Sequence, residues 1–294
     1  MIDEILDRIL QRLPEAAEVT AKISQVRREA FGRPYEDFFE PKSVFALSGK
    51  SLRLIALSLP VVEAWAKHIA YSTRVRMLSF EPAILAAIVD DHLTPAMGLL
   101  RSYSETSGLA CLALLTLRAA DHDRLRDVMQ RTLHGSALAR GWKDFKDLSN
   151  LLPLSESQPP LAKDLMDALD SFVAAGEKGN GRYRAVYGLL CEFAHPNSRG
   201  MLGFARSTEV APIGWRVRYS PTEEVGKDGQ LMVLSLLLEM MRLGYSASEL
   251  LRLGTVHEIG GGFSITRPEP RAVERVLRRL MLLDDTSKVD GHVM

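Results

Sequence analysis

Apolar positions recur at helical spacing along almost the whole chain and alternate in strand fashion in only a few short stretches. The opening segment carries Ile2, Ile5, Leu6, Ile9, Leu10 and Leu13, a spacing that lines one face of a helix. Pro14 interrupts it, and a second helix is expected over 15–30. The stretch 31–50 contains Gly32, Pro34, Pro41 and Gly49 and reads as a loop or linker. Residues 1–48 are thus expected to form an N-terminal helical arm and linker, followed by a helical domain over 49–294.

Helical spacing returns at 51–71 with Leu52, Ile55, Leu59, Val62, Trp65 and Ile69 on one face, and Pro60 is expected to kink or divide that helix. A separate helix is expected over 81–89. Thr94-Pro95 has the form of a helix start, with Thr94 as cap and Pro95 in the first turn, and the helix it opens runs to Leu117. Further helices are expected over 125–138, 161–175, 182–195, 230–243, 247–253 and 268–283. The segment 152–160, with Pro153, Pro159 and Pro160, is a linker, and 176–181 is a turn. Pro196 stops the helix that precedes it. Apolar and polar residues alternate in Met201–Ser207 and Trp215–Ser220, with Pro212 and Gly214 between them, which predicts a two-stranded hairpin near 200–220. Gly260–Gly262 is a turn before a short strand at 263–266. No internal repeat or low-complexity segment is present. The pattern predicts a mainly α protein, a helical bundle with a small β-hairpin insertion.

Composition narrows the function classes. The chain has 294 residues, 46% hydrophobic and 25% charged, an ordinary globular balance. Lys plus Arg (37) equals Asp plus Glu (37), which excludes coating of nucleic acid by bulk positive charge and leaves room for a local basic site. Two cysteines, Cys111 and Cys191, exclude a disulfide-stapled scaffold. The start MIDEILDRIL is acidic and lacks the form of a secretory or transit leader. The longest apolar runs, near 109–117 and 231–238, fall short of the roughly 20 residues that span a bilayer. These features point to a cytoplasmic protein with no membrane association.

The segment from Tyr187 to Asn197 carries the most chemistry. Tyr187, Cys191 and His195 lie one helical turn apart on a shared face, and Glu192 stands one turn before His195 on the adjoining edge. Pro196 puts His195 at the helix C-terminus, where the dipole favours its protonated form. An imidazolium beside a carboxylate suits a general acid or a clamp on a phosphate oxygen; equally, His195 caps the last carbonyls. Arg101 and Glu105 share a face at i,i+4 in a strongly apolar helix, as either a catalytic pair or a structural ion pair. Other constellations are weaker. Asp90-Asp91-His92 and Asp121-His122-Asp123 read as helix ends, since consecutive helical side chains diverge. Cys191, among Leu189, Leu190 and Phe193, reads as a core thiol rather than a nucleophile. Gly260–Gly262 lacks the features of a phosphate loop. Arg271, Arg275 and Arg278 form a basic stripe, and Arg216 and Arg218 alternate with Trp215 and Tyr219; both read first as solvated or packed faces, with RNA contact as the alternative. No metal or cofactor is called for.

An Arg-x-x-x-Glu helix followed by Tyr-x-x-Leu-Cys-Glu-x-x-His-Pro-Asn resembles a group of bacterial helical proteins distantly similar to the HEPN superfamily. The residues are Arg101 and Glu105, then Tyr187, Leu190, Cys191, Glu192, His195, Pro196 and Asn197, and the resemblance covers about residues 50–200. It implies a helical bundle, often dimeric, and in many members a metal-independent ribonuclease of toxin–antitoxin and antiviral systems; other members only bind nucleotides or partners. The HEPN nuclease motif has its Arg and His close together on one helix. Here Arg184 lies roughly 16 Å along the axis from His195, at about 1.5 Å per residue. Arg101, arriving from a neighbouring helix, or Arg199, from the loop after the motif, is the expected substitute. The resulting expectation is a composite site. His195, Arg101, Glu105 and Glu192 are its catalytic candidates, and Tyr187, Asn197 and Arg199 its substrate-binding ones. RNA is the substrate and the chain a homodimer. The second reading is a non-catalytic module that binds a nucleotide, or a protein partner through the apolar stripe of Ile2–Leu13.

Overall fold

Two amphipathic helices open the chain, as their spacing requires: α1 at Ile2–Arg12 and α2 at Ala17–Phe31, joined by a 3-10 turn at Pro14–Ala16. The structure, a computed structural model, describes residues 2–32, 58–119, 121–134, 159–174, 180–194, 205–210, 214–219, 226–259, 262–266, 271 and 278. Within these follow α3 (Leu59–Val89), α4 (Leu93–Arg118), α5 (His122–His134), α6 (Ala162–Val173) and α7 (Arg182–Ala194). Then come β1 (Ala205–Val210), β2 (Gly214–Tyr219), α8 (Lys227–Leu253), β3 (Thr255–Ile259) and β4 (Gly262–Thr266). The protein is a mainly α bundle with small antiparallel hairpins, β1 with β2 and β3 with β4.

Helices α3, α4 and α8 form the centre, each packed on the other two. α6 and α7 lie against α4, α1 packs on α3, and α2 packs on α8. The apolar stripe Ile2, Leu6, Ile9 and Leu13 is buried in the same core as Trp65, Leu100 and Leu237. The linker half of the expected arm lies outside the described residues, as does most of the helix expected over 268–283.

Prolines account for the largest differences from the periodicity reading. Pro60 occupies the first turn of α3, where the N–H that it lacks would have no intrahelical partner, and the part of the expected helix over 51–57 lies outside the described residues. Pro82 lies inside the same helix, which runs without a break through 72–80. Thr73 and Met77 are buried along that stretch, so packing keeps it helical. α4 starts at Leu93, so Thr94 is its second residue and His92 holds the cap position. α8 is continuous where two helices were expected. Its Gly244 is a point of close approach: a Cβ there would stand 2.6 Å from Ser107 Oγ. Gly108 plays the same part on α4, where a Cβ would lie 2.7 Å from the Leu165 carbonyl oxygen. Strand β3 was not expected, since only Val256 and Ile259 mark it as apolar. α8 is long and apolar enough to cross a bilayer, and 67% of its most apolar window is buried inside the protein.

The end of α3 explains Asp90-Asp91-His92. Asp91 takes a left-handed conformation (φ 58), the His92 N–H donates to the Ala87 carbonyl at 2.8 Å, and the Asp91 N–H donates to Ile88 at 3.3 Å. This is a Schellman ending with aspartate in the place glycine usually takes. Arg12 and Gln230 both donate to the Asp91 carboxylate.

Glu81 has no solvent exposure. Its carboxylate accepts from Arg27 Nε at 2.9 Å, from the Tyr103 hydroxyl at 3.0 Å, and from the Tyr245 hydroxyl. Helices α2, α3, α4 and α8 therefore meet at one side chain. A second buried charge lies beside it: Arg74 donates to the Ala30 carbonyl at the end of α2 at 3.1 and 2.7 Å and stands 3.7 Å from Glu249.

Burial raises the pKa of the Glu81 carboxyl above its ordinary value, against the opposing pull of Tyr245, Arg27 and Tyr103. A raised carboxyl contributes stability that is complete below its ordinary value and lost as pH rises through the folded-state value. Glu81→Gln removes this dependence, so the stability of the wild type relative to Glu81→Gln falls as pH rises from acid to neutral. Glu81→Ala strands two tyrosine hydroxyls and Arg27, and costs roughly 3–5 kcal/mol in denaturant unfolding. A pH-independent difference, or an Ala variant as stable as wild type, contradicts this account.

Candidate functional site

Helix α7 is placed by its first turn. Tyr183 and Leu190 face the core and are buried. The Tyr183 N–H donates to Asp170 of α6 at 3.3 Å and its hydroxyl to Glu239 of α8 at 2.7 Å. Arg182 reaches Glu239 at 3.0 Å, and Arg184 makes a two-point contact with Asp167 of α6. With that turn fixed between α6 and α8, the residue one turn on, Tyr187, arrives against the flank of α4.

There it meets two of the expected site residues. Arg101 Nε donates to the Tyr187 hydroxyl at 2.9 Å, and that hydroxyl donates to Glu105 Oε1 at 2.5 Å. Arg101 Nε and Glu105 Oε1 are 3.4 Å apart, with 31% and 33% of their side chains exposed. The Arg101 guanidinium carbon lies 5.3 Å from the centre of the Tyr187 ring. Hydrogen bonding to Tyr187 raises the pKa of Arg101, so its charge is permanent. Burial, reinforced by the hydrogen bond to Glu105, pushes the Tyr187 hydroxyl well above the usual phenol range. Tyr187 is thus a neutral junction that takes a proton contact from the guanidinium and gives one to the carboxylate. Neither Nη of Arg101 bonds to any described residue. An arginine anchored through Nε, with a terminal fork that bonds to none of the described residues, has the geometry that receives an oxyanion.

The remaining expected residues fall differently. Glu192 is exposed on α7, about 140° round the helix from Tyr187 and off the face that meets α4. Cys191 is half-buried rather than sealed in the core. His195, Asn197 and Arg199 lie outside the described residues. Asp121 accepts from the Arg124 N–H at 3.1 Å, at the start of α5, and His122 stacks on Phe263 with ring centres 5.1 Å apart. Among the described residues no three His, Cys, Asp or Glu side chains are grouped to hold a metal.

The periodicity reading did not single out the cavity of about 300 Å³ between α4, α5 and α6. Arg131 at its wall stands 3.5 Å from both Asp127 and Asp164, so its charges are largely matched within the protein. Nor did it single out Glu81, although Met77, Glu81, Ile84, Leu85 and Ile88 fall on one buried face of α3. No family model matches the chain, and neither does any curated protein or solved structure.

The state of Tyr187 is directly measurable. A difference absorbance titration between wild type and Tyr187→Phe shows no tyrosinate from Tyr187 at about pH 10, the ordinary phenol midpoint. A tyrosine half-ionised there would mean that the Tyr187–Glu105 contact is not formed.

Proposed function

We propose that this protein is a metal-independent ribonuclease of the kind its HEPN resemblance implies, acting in bacterial phage defence or in a toxin system as a cytoplasmic homodimer. The observation that supports the reading is the guanidinium fork of Arg101, held at Nε by Tyr187 and unbonded among the described residues, on the helix flank met by α7, the helix whose sequence leads to His195. In this reading the ribose 2′-oxygen attacks the phosphorus and the bond to the 5′-oxygen breaks. His195 takes the 2′-hydroxyl proton and returns a proton to the departing 5′-oxygen, and Arg101 balances the charge on the phosphorane; Glu192, turned away from α4, takes no part. Glu105 and Tyr187 hold Arg101 in place and touch no reacting atom. Asn197 and Arg199, which follow His195 in sequence, are the substrate-binding candidates of this reading.

The second reading is a non-catalytic module. A nucleotide phosphate fits the same fork. A protein partner docking through Ile2–Leu13 fits less well, because Ile2, Leu6, Ile9 and Leu13 are buried against the chain's own core.

RNA cleavage in EDTA decides between the two. Wild type cuts single-stranded RNA and leaves cyclic-phosphate ends. His195→Ala loses about 10²–10⁴ of the rate, and Arg101→Ala about 10²–10³, with thermal stability nearly unchanged. A folded wild type that does not cleave, or a His195→Ala variant with full activity, overturns the catalytic reading.

A further inference from the structure

The β1–β2 ribbon has a feature that its sequence shows only once the register is known. Arg206 pairs with Arg218 and Thr208 with Arg216 across the antiparallel ladder. Directly paired residues share a face, and residues two apart on a strand share it too. Arg206, Arg216 and Arg218 therefore fall on one face, together with Thr208, Val210 and Gly214 and with no acidic residue. Glu209, the one acid in the two strands, belongs to the other face, opposite Trp215. Their backbone positions thus lie within about 7 Å along the strand and about 5 Å across it. Like charges directly opposite one another destabilise a hairpin, and a two-stranded hairpin is marginal in water on its own. Among the described residues β1 and β2 pack extensively only on each other. A chain whose charges balance overall places three arginines and no acid at the register positions of one ribbon face, ten residues after His195.

We infer that the arginine face of this ribbon binds the phosphate backbone of RNA. The choice of RNA rests on the ribonuclease reading; the affinity for a polyanion rests on the ribbon alone. The contact is electrostatic and independent of sequence, so it has a defined salt signature: about 0.7 in the slope of log K against log salt for each single-strand phosphate engaged.

The test uses the full chain carrying His195→Ala, so that RNA is bound and not cut, and reads anisotropy of a labelled single-stranded RNA across a salt series. Replacing Arg206, Arg216 and Arg218 together by Gln lowers the slope by as much as about 2 and weakens binding about tenfold or more near 0.1 M salt. Replacing the same three by Lys keeps the slope, because the charge is kept. Circular dichroism and the melting temperature of both variants confirm that they fold, and the Lys variant separates lost charge from a lost hairpin. An unchanged slope and affinity in the Gln variant overturns the inference, as does a Lys variant that behaves like the Gln variant. Ribbon-dependent RNA binding by a wild type that never cleaves keeps the inference and removes the ribonuclease reading. Binding of a DNA strand of equal length with the same slope and affinity, together with no cleavage of RNA, overturns RNA as the partner.

Discussion

A carboxylate without access to water sets the register of the bundle. Apolar contacts alone tolerate sliding: a leucine at position 81 would pack acceptably over a range of helix offsets. Glu81 does not, because its two oxygens need directional donors, and these come from α2, α4 and α8. Leaving any of them unpaired in the core costs far more than a small loss of packing. The close crossing at Gly244, against Met77 of α3 and Ser107 of α4, brings the backbones near enough for those short contacts. The same constraint aims the candidate site. Arg101 and Glu105 stand two residues to either side of Tyr103, and two residues turn a helix by about 200°. Once Tyr103 is committed to Glu81, Arg101 and Glu105 must emerge together on the far flank of α4.

What α4 offers at that flank is completed by α7, whose position has a different origin. Its first turn is tied to Asp170, Asp167 and Glu239 through Tyr183, Arg184 and Arg182. These are polar contacts at a surface helix, individually worth little where exposed, and they act together because they share one turn. The core therefore fixes one half of the Arg101–Tyr187–Glu105 cluster rigidly, and a more adjustable set of contacts fixes the other half.

Sequence reading went as far as local physics reaches. The helical stripes of α1, α2, α4 and α7 were legible because burial follows the 3.6-residue period. The hairpin at 205–219 was legible from its alternation. The separate helix expected over 81–89 is instead the end of α3, Pro82 included, because a proline's effect depends on how much packing holds the helix around it. The gap expected between 243 and 247 is helical, and what Gly244 provides there, room for Ser107, belongs to another helix. The spacing of Arg101 and Glu105 announced a pair, and the motif around Tyr187 announced a helix face. Nothing local announced that they would meet, since that depends on the docking of α7 on α6 and α8. Likewise Arg216 and Arg218 were visible as a basic pair, but Arg206 joins them only through the strand register.

The electrostatics of the rim place a limit on what Arg101 does alone. Glu105 stands close enough to cancel much of its field at a distance, so the open fork orients an oxyanion better than it attracts one. A site of that kind needs its affinity from elsewhere. The proposed ribbon contact supplies it, with three unbalanced arginines on one face and no carboxylate among them. Two weak, tethered contacts on one strand of RNA act as a single stronger one, because engagement of the first raises the effective concentration of the second. The division has a physical advantage. In the proposed ribonuclease, a fork that binds phosphate weakly in the ground state is free to strengthen its contacts as charge grows on the phosphorane, and only that difference in binding accelerates the reaction.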